Sequence, residues 1–197
     1  MTPTATLTPS PSTRALRHVL APRIRLTALR ERFDAAGFRS RSVSHLRRWG
    51  LAYATALAGA FWFHSHYALG LNATHSLPGT LYLIERGALP QRGEHVAFRW
   101  AGGGPYPAGV TFIKVLAGQP GDTVTREDAT FVVAGTALGP AKPTSRRGET
   151  LEPGPTGTLP DGHYFVYAPH PDSLDSRYAL TGWIAREQFI GRARAIF

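Results

Sequence analysis

The stretch Val110-Thr111-Phe112-Ile113-Lys114-Val115-Leu116-Ala117-Gly118 reads as a β-strand, being almost wholly β-branched, aliphatic or aromatic. It carries one charge, Lys114. The 197-residue chain holds 22 basic residues, and only Lys114 and Lys142 among them are lysine. In an arginine-rich composition a solvated cation would more naturally be arginine. An ammonium in an apolar strand is desolvated, so its pKa falls, and a neutral lysine is a base. A guanidinium stays charged at any reachable pH. Lys114 therefore reads as a general base that requires a nucleophile.

Outward from this strand the pattern repeats. Residues 81–84, 95–100, 130–133, 164–167 and 189–197 are further short runs of β-branched and aromatic residues. Gly and Pro clusters separate them, for example Gly102-Gly103-Gly104-Pro105 and Gln119-Pro120-Gly121-Asp122. The pattern predicts an all-β domain over residues 72–197. Its Pro/Gly-rich stretch 139–162 is expected to form a loop or small insert, and Gly121 with Asp122 to make a turn. There is no internal repeat. Cysteine is absent, which excludes a disulfide framework, a thiol nucleophile and thiolate metal sites.

Charge is unevenly spread. The formal net charge is +9, yet residues 1–48 hold ten Arg against Glu31 and Asp34, so the basic excess belongs to this Pro/Thr/Arg-rich arm. From residue 49 to 84 there is no Asp, Glu, Lys or Arg. The run from Trp49 through Phe63 is almost wholly apolar. Extended to Leu71 it reaches the ~20 residues that a bilayer core requires, with Trp49, Tyr53, Trp62 and Tyr67 near the interfaces. The expectation is a single transmembrane helix over 49–71, the alternative being a buried core helix. Arg47 and Arg48 abut the run. The positive-inside rule then places the arm in the cytoplasm and the β-domain on the periplasmic or extracytoplasmic side of the inner (cytoplasmic) membrane. A cleaved signal peptide would have an unusually long positive region. The arm carries no helix-turn-helix signature, so membrane lipid rather than nucleic acid is its expected partner.

A serine hydroxyl is a weak nucleophile and needs a base. Ser76, in Asn72-Ala73-Thr74-His75-Ser76-Leu77-Pro78-Gly79-Thr80, is the serine assigned to Lys114. His75 is adjacent, but neighbours in an extended chain point to opposite faces; His95, His163 and His170 remain conceivable bases. No serine lies in a Gly-x-Ser-x-Gly elbow, and no His-Glu-x-x-His or comparable metal spacing occurs. His64 and His66, at the end of the apolar run, read as interfacial side chains rather than ligands.

Four blocks follow one another along the chain: Ser76-Leu77-Pro78, Arg92-Gly93-Glu94-His95-Val96-Ala97-Phe98, Lys114 through Asp122, and Ser173-Leu174-Asp175-Ser176-Arg177-Tyr178. In this order, and after an apolar segment, they resemble the type I signal peptidases, the serine–lysine membrane endopeptidases. The resemblance implies a signal-peptidase-like β-barrel or sandwich. It makes Ser76 the nucleophile and Lys114 the general base. Thr74 would be an oxyanion donor beside the Ser76 N–H, and Ser173 the residue orienting the amine. Asp175, Arg177, Gly121 and Asp122 would be structural support. It implies no metal or cofactor, and a signal-peptide-bearing or pilin-type precursor as substrate. Pro78 stands two residues after the serine, Val115 follows the lysine, and the last block opens Ala168-Pro169-His170-Pro171-Asp172 instead of Gly-Asp-Asn. Ser-x-Pro, Leu81-Tyr82 and Ser-x-Asp-Ser-Arg-Tyr look more like the TraF-type branch of conjugative transfer systems, although Thr80 stands where that branch has Gly. Two other classes stay open at this point: a self-cleaving Ser/Lys repressor with the arm as a DNA-binding head, and a non-catalytic membrane-anchored β scaffold.

Overall fold

Alanines at 52, 54, 56, 58 and 60, with no proline between Pro22 and Pro78, favour helix ahead of the strands. The computed structural model, which describes residues 35–74 and 76–197, has helix α1 at Ala35–His66. The arm's residues 1–34 and His75 lie outside the described residues. Near its end α1 is stitched by side chains returning to its own carbonyls: Ser65 donates to Phe61 O at 2.8 Å, and His66 Nδ1 lies 2.8 Å from Trp62 O. Tyr67 then begins strand β1, Tyr67–Leu71.

This corrects the expected span over 49–71. That segment is helical only as far as His66, on the order of 27 Å at 1.5 Å per residue against about 30 Å of hydrocarbon. Its last helical turn is His64-Ser65-His66, and its final five residues pair in a sheet. Among the described residues no helix is long and apolar enough to cross a membrane. The helix also begins well before Trp49, because nothing in residues 35–48 breaks it.

The described chain divides into two units at Thr55/Ala56, and among the described residues every strand belongs to the second. After β1 come β2 (Leu81–Arg86), β3 (His95–Arg99), β4 (Thr111–Gly118), β5 (Thr123–Glu127), β6 (Thr130–Val133), β7 (Thr136–Pro140), β8 (Gly157–Thr158), β9 (His163–Tyr167), β10 (Ile184–Ala185) and β11 (Phe189–Ala195). They form a seven-stranded sheet, β1-β2-β11-β3-β4-β9-β10, and a four-stranded sheet, β7-β6-β5-β8. All the pairings are antiparallel. The described fold is mostly β.

Two apolar clusters sandwich the centre of the large sheet. Val96, Phe98, Leu116 and Val166 fill one; Leu77, Tyr82, Ala97 and Ile113 fill the other. Strand β4 therefore feeds both, Leu116 into the first and Ile113 into the second, which is why its sequence is a near-continuous apolar run rather than an alternation. Lys114 lies between these two residues, opposite Val96 of β3.

The turn after β4 forms as its residues require. Pro120 and Gly121 take the two central positions, Gly121 has φ of 88°, and Asp122 N–H donates to Gln119 O at 3.0 Å. A Pro-Gly centre with positive φ at the second position is a type II turn. Asp122 then accepts Gln119 N–H at 2.6 Å and pairs with Arg92 at 2.7 Å. Arg92 also donates to Ala117 O at 3.1 Å, and Gly93 N–H to Leu116 O at 2.8 Å. The second and third sequence blocks thus clasp the end of the strand that carries Lys114.

Candidate active site

The loop of residues 72–80 joins β1 to β2, and Ser76 lies within it. Strand β4 brings Lys114 to it from one side, and the segment after β9, residues 168–178, brings Ser173. Lys114 Nζ is 3.1 Å from Ser76 Oγ and 2.8 Å from Ser173 Oγ. Ser76, Lys114 and Ser173 are 6%, 5% and 3% exposed. Thr74 Oγ1 lies 3.1 Å from Ser76 Oγ and donates to Asn72 Oδ1 at 3.2 Å. These four side chains, some 100 residues apart at the extremes, form one connected cluster.

Burial is what changes the lysine. Removing the ammonium from water pushes the Lys114 pKa down to about 8. Asp175 opposes that shift and the Arg177 cation adds to it. At pH 7 roughly a tenth of such amines are neutral, against a few in ten thousand for an ordinary lysine. A neutral amine at this distance can take the hydroxyl proton of Ser76.

Asp175 and Arg177 sit behind the cluster, fully buried. Arg177 Nε and Nη2 each donate to one oxygen of Asp175 at 2.9 Å, a two-pronged pair. The other Asp175 contacts are backbone N–H groups, Ala168 at 3.1 Å and Arg177 at 3.2 Å. Arg177 also reaches Pro140 O, Ala168 O and His170 O. Burial alone would lower the Arg177 pKa; the hydrogen bonds and charge of Asp175 outweigh it, and the net shift is upward. Ser176 accepts Val166 N–H at 3.0 Å. The whole segment is therefore held to β9.

A cleft of about 470 Å³ opens beside Ser76, lined by Asn72, Leu77, Gly79, Pro169 and His170 among others. Among the described residues the hydrogen-bond partners of Ser76 Oγ are Lys114 and Thr74. Among the described residues the other candidate bases, His95, His163 and His170, have contacts of their own. His95 packs edge-on against Tyr82 at 5.4 Å, and burial lowers its pKa. His163 Nδ1 meets Asp161 O at 3.1 Å. His170 lines the cleft, and its Nδ1 accepts Asp172 N–H.

The model of the family described as "Signal peptidase, peptidase S26" matches residues 43–197. The chain belongs to this signal peptidase family. Among solved structures it is similar to a signal peptidase I from Enterococcus faecalis, 29% identical over 53% of this chain and 96% of that one, with a TM-score of 0.37. Among curated proteins nothing matches. Membership makes this signal peptidase a serine endopeptidase whose substrate class is signal-peptide-bearing precursors. Sequence reasoning gave no role in holding the peptidase's Ser76 loop to Asn72, or to Tyr82, which it read only as part of the 81–84 run and of the Leu81-Tyr82 pattern; both side chains hold that loop. Asn72 was quoted only as part of that loop, and a polar residue in a Gly/Pro-bounded loop carries no signal of its own.

Proposed function

We propose that this peptidase cleaves precursor proteins with a Ser76–Lys114 dyad. The 3.1 Å approach of a buried, weakly basic amine to a buried serine hydroxyl is the observation that carries this reading. Neutral Lys114 removes the Ser76 proton as Oγ attacks the scissile carbonyl. The Ser76 N–H and the Thr74 hydroxyl stabilise the tetrahedral oxyanion. Protonated Lys114 then gives its proton to the leaving amine, and water admitted to the cleft hydrolyses the acyl-enzyme. Ser173 holds the amine in line, while Asp175, Arg177, Gly121 and Asp122 keep the two flanking segments in place. The chemistry calls for no metal or cofactor.

The Ser-x-Pro and Ser-x-Asp-Ser-Arg-Tyr patterns support a narrower assignment, a TraF-type peptidase acting on pilin-type precursors within a conjugative transfer or secretion system. Its catalytic domain would work at the extracytoplasmic face of the cytoplasmic membrane. Cleavage of a co-expressed candidate pilin, read by mass spectrometry against an ordinary secretory precursor, separates the specialised from the general role.

The test of the dyad is a pH profile with a covalent label. Activity toward a fixed precursor should rise with pH and level off above an inflection near 8, where Lys114 loses its proton. A serine-reactive inhibitor should be recovered on Ser76. An inflection near 6.5, the histidine value, or a label on another serine, overturns the assignment. Ser173→Ala removes the 2.8 Å partner of Nζ and leaves a small void. We expect kcat/KM to fall about 10- to 100-fold through misplacement of the base. The melting temperature should stay near the parental value by differential scanning fluorimetry.

A further inference from the structure

The loop that carries Ser76 is held chiefly by one side chain. Asn72 Nδ2 donates to Leu77 O at 2.9 Å and to Gly79 O at 3.1 Å. The Asn72 backbone N–H donates to Thr80 O at 2.8 Å. The buried Tyr82 hydroxyl donates to Pro78 O. Four consecutive carbonyls after the nucleophile are thus occupied, three of them by Asn72. On its other side Asn72 Oδ1 accepts the Thr74 hydroxyl, whose oxygen lies 3.1 Å from Ser76 Oγ. Gly79, with φ of 91°, completes the fold-back: a Cβ there would stand 2.7 Å from Phe197 O, which accepts Thr80 N–H.

These bonds have a direction. In the resting site the Thr74 hydroxyl donates to Asn72 Oδ1, so Thr74 Oγ1 meets Ser76 as an acceptor until a developing oxyanion draws that proton to itself. While Lys114 is an ammonium it donates to Ser76 Oγ, and the Ser76 proton points to Thr74. When Lys114 is neutral, the same hydroxyl can turn its proton to Nζ without moving its oxygen. Asn72 therefore fixes where the attacking oxygen stands, and which way its neighbour's hydroxyl faces, before any proton moves.

We propose that Asn72 is a positioning residue for the reaction, acting through Thr74 and the 77–80 carbonyls to hold Ser76 Oγ in line with Lys114. This rests on the Ser76–Lys114 reading. It separates Asn72 from a mere hairpin tie, because misplacing a nucleophile by about 1 Å costs on the order of 100-fold in rate, whereas loosening a loop costs folded protein.

The experiment compares Asn72→Asp and Asn72→Ala with the parent in the full-length chain, using a fluorogenic precursor peptide. Asp keeps the acceptor for Thr74 and replaces the amide donors with oxygens facing two carbonyls; Ala removes both functions and opens onto the cleft. Active sites are counted with a covalent serine-reactive inhibitor, so that any misfolded fraction drops out. We expect kcat per titrated site to fall about 100-fold in both variants and KM to stay within about threefold; the inflection near pH 8 should remain in Asn72→Ala, whereas the carboxylate of Asn72→Asp should move it upward by favouring the Lys114 ammonium. A kcat per titrated site within about twofold of the parent in both variants overturns the proposal and leaves Asn72 as loop scaffolding. Ser76→Ala is run beside them: retained turnover there overturns the dyad reading instead.

Discussion

Lys114→Met should abolish precursor cleavage and leave a protein that melts no lower than its parent. Under the proposed dyad the activity loss follows from removing the base that makes Ser76 nucleophilic, a contribution of about 10²–10⁴ by proton transfer alone, with further loss because protonated Lys114 would also serve the leaving amine. Stability moves the other way. A pKa of about 8 against the ordinary 10.5 means the fold disfavours the ammonium; at roughly 1.4 kcal/mol per unit this is a penalty of about 3 kcal/mol. The sign is fixed by proton counting. Between about pH 8 and 10.5 the unfolded chain holds more protons than the folded one, so parental stability rises with pH across that window and carries the full penalty below it. Methionine fills a similar volume with no charge, so Lys114→Met lacks that window. Ser76→Ala is equally inactive but keeps the lysine, and so keeps the pH dependence of stability. Product analysis by mass spectrometry and thermal melts at pH 7 and pH 10 check both halves. A Lys114→Met enzyme that keeps more than about a tenth of parental turnover would defeat the dyad assignment.

The strands that could be read from the sequence are those with apolar residues on both faces or at a sheet centre. The runs at 81–84, 95–100, 110–117, 130–133, 164–167 and 189–197 correspond to β2, β3, β4, β6, β9 and β11, with ends displaced by a residue or two. Those passed over share a physical reason. Strand β5, Thr-Val-Thr-Arg-Glu, buries Val124 alone, so periodicity has almost nothing to register. Strand β1 follows an apolar helix with no Gly, Pro or charge at the junction, so Tyr67–Leu71 reads as more of the same segment. The end of β7 and all of β8 lie in the Pro/Gly-rich stretch and bury little. In the site, Ser76, Lys114, Ser173 and the Asp175/Arg177 pair stood out because each is a polar type in an unusual setting or an ordered block. That they meet is a matter of sheet order, β1-β2-β11-β3-β4-β9, which no local pattern encodes. Asn72 was invisible for the same cause: its bonds are local, but only the fold-back of the loop reveals their number.

Asp175→Asn should cost about 3–5 kcal/mol, the range for leaving one partner of a buried ion pair uncompensated. Both side chains are buried, and the pair is joined by two 2.9 Å hydrogen bonds. An amide at 175 keeps the volume but presents an NH₂ group to a guanidinium, and Arg177 has no route to water. Replacing both members by apolar residues, Asp175→Leu with Arg177→Met, should recover much of the loss, since the penalty lies in the orphaned charge; a double-mutant cycle of urea melts measures the coupling. The same substitution reaches the proposed base. Asp175 raises the Lys114 pKa and Arg177 lowers it, so removing the carboxylate while keeping the cation disfavours the ammonium further. In the folded fraction of Asp175→Asn, the inflection of the pH–activity profile should move below 8, toward acid. Two readouts therefore test one arrangement: a stability loss rescued by the double variant, and an acid-shifted inflection in the single one. An unchanged inflection with a loss under about 1 kcal/mol would mean that the pair is neither dry nor electrostatically coupled to the amine.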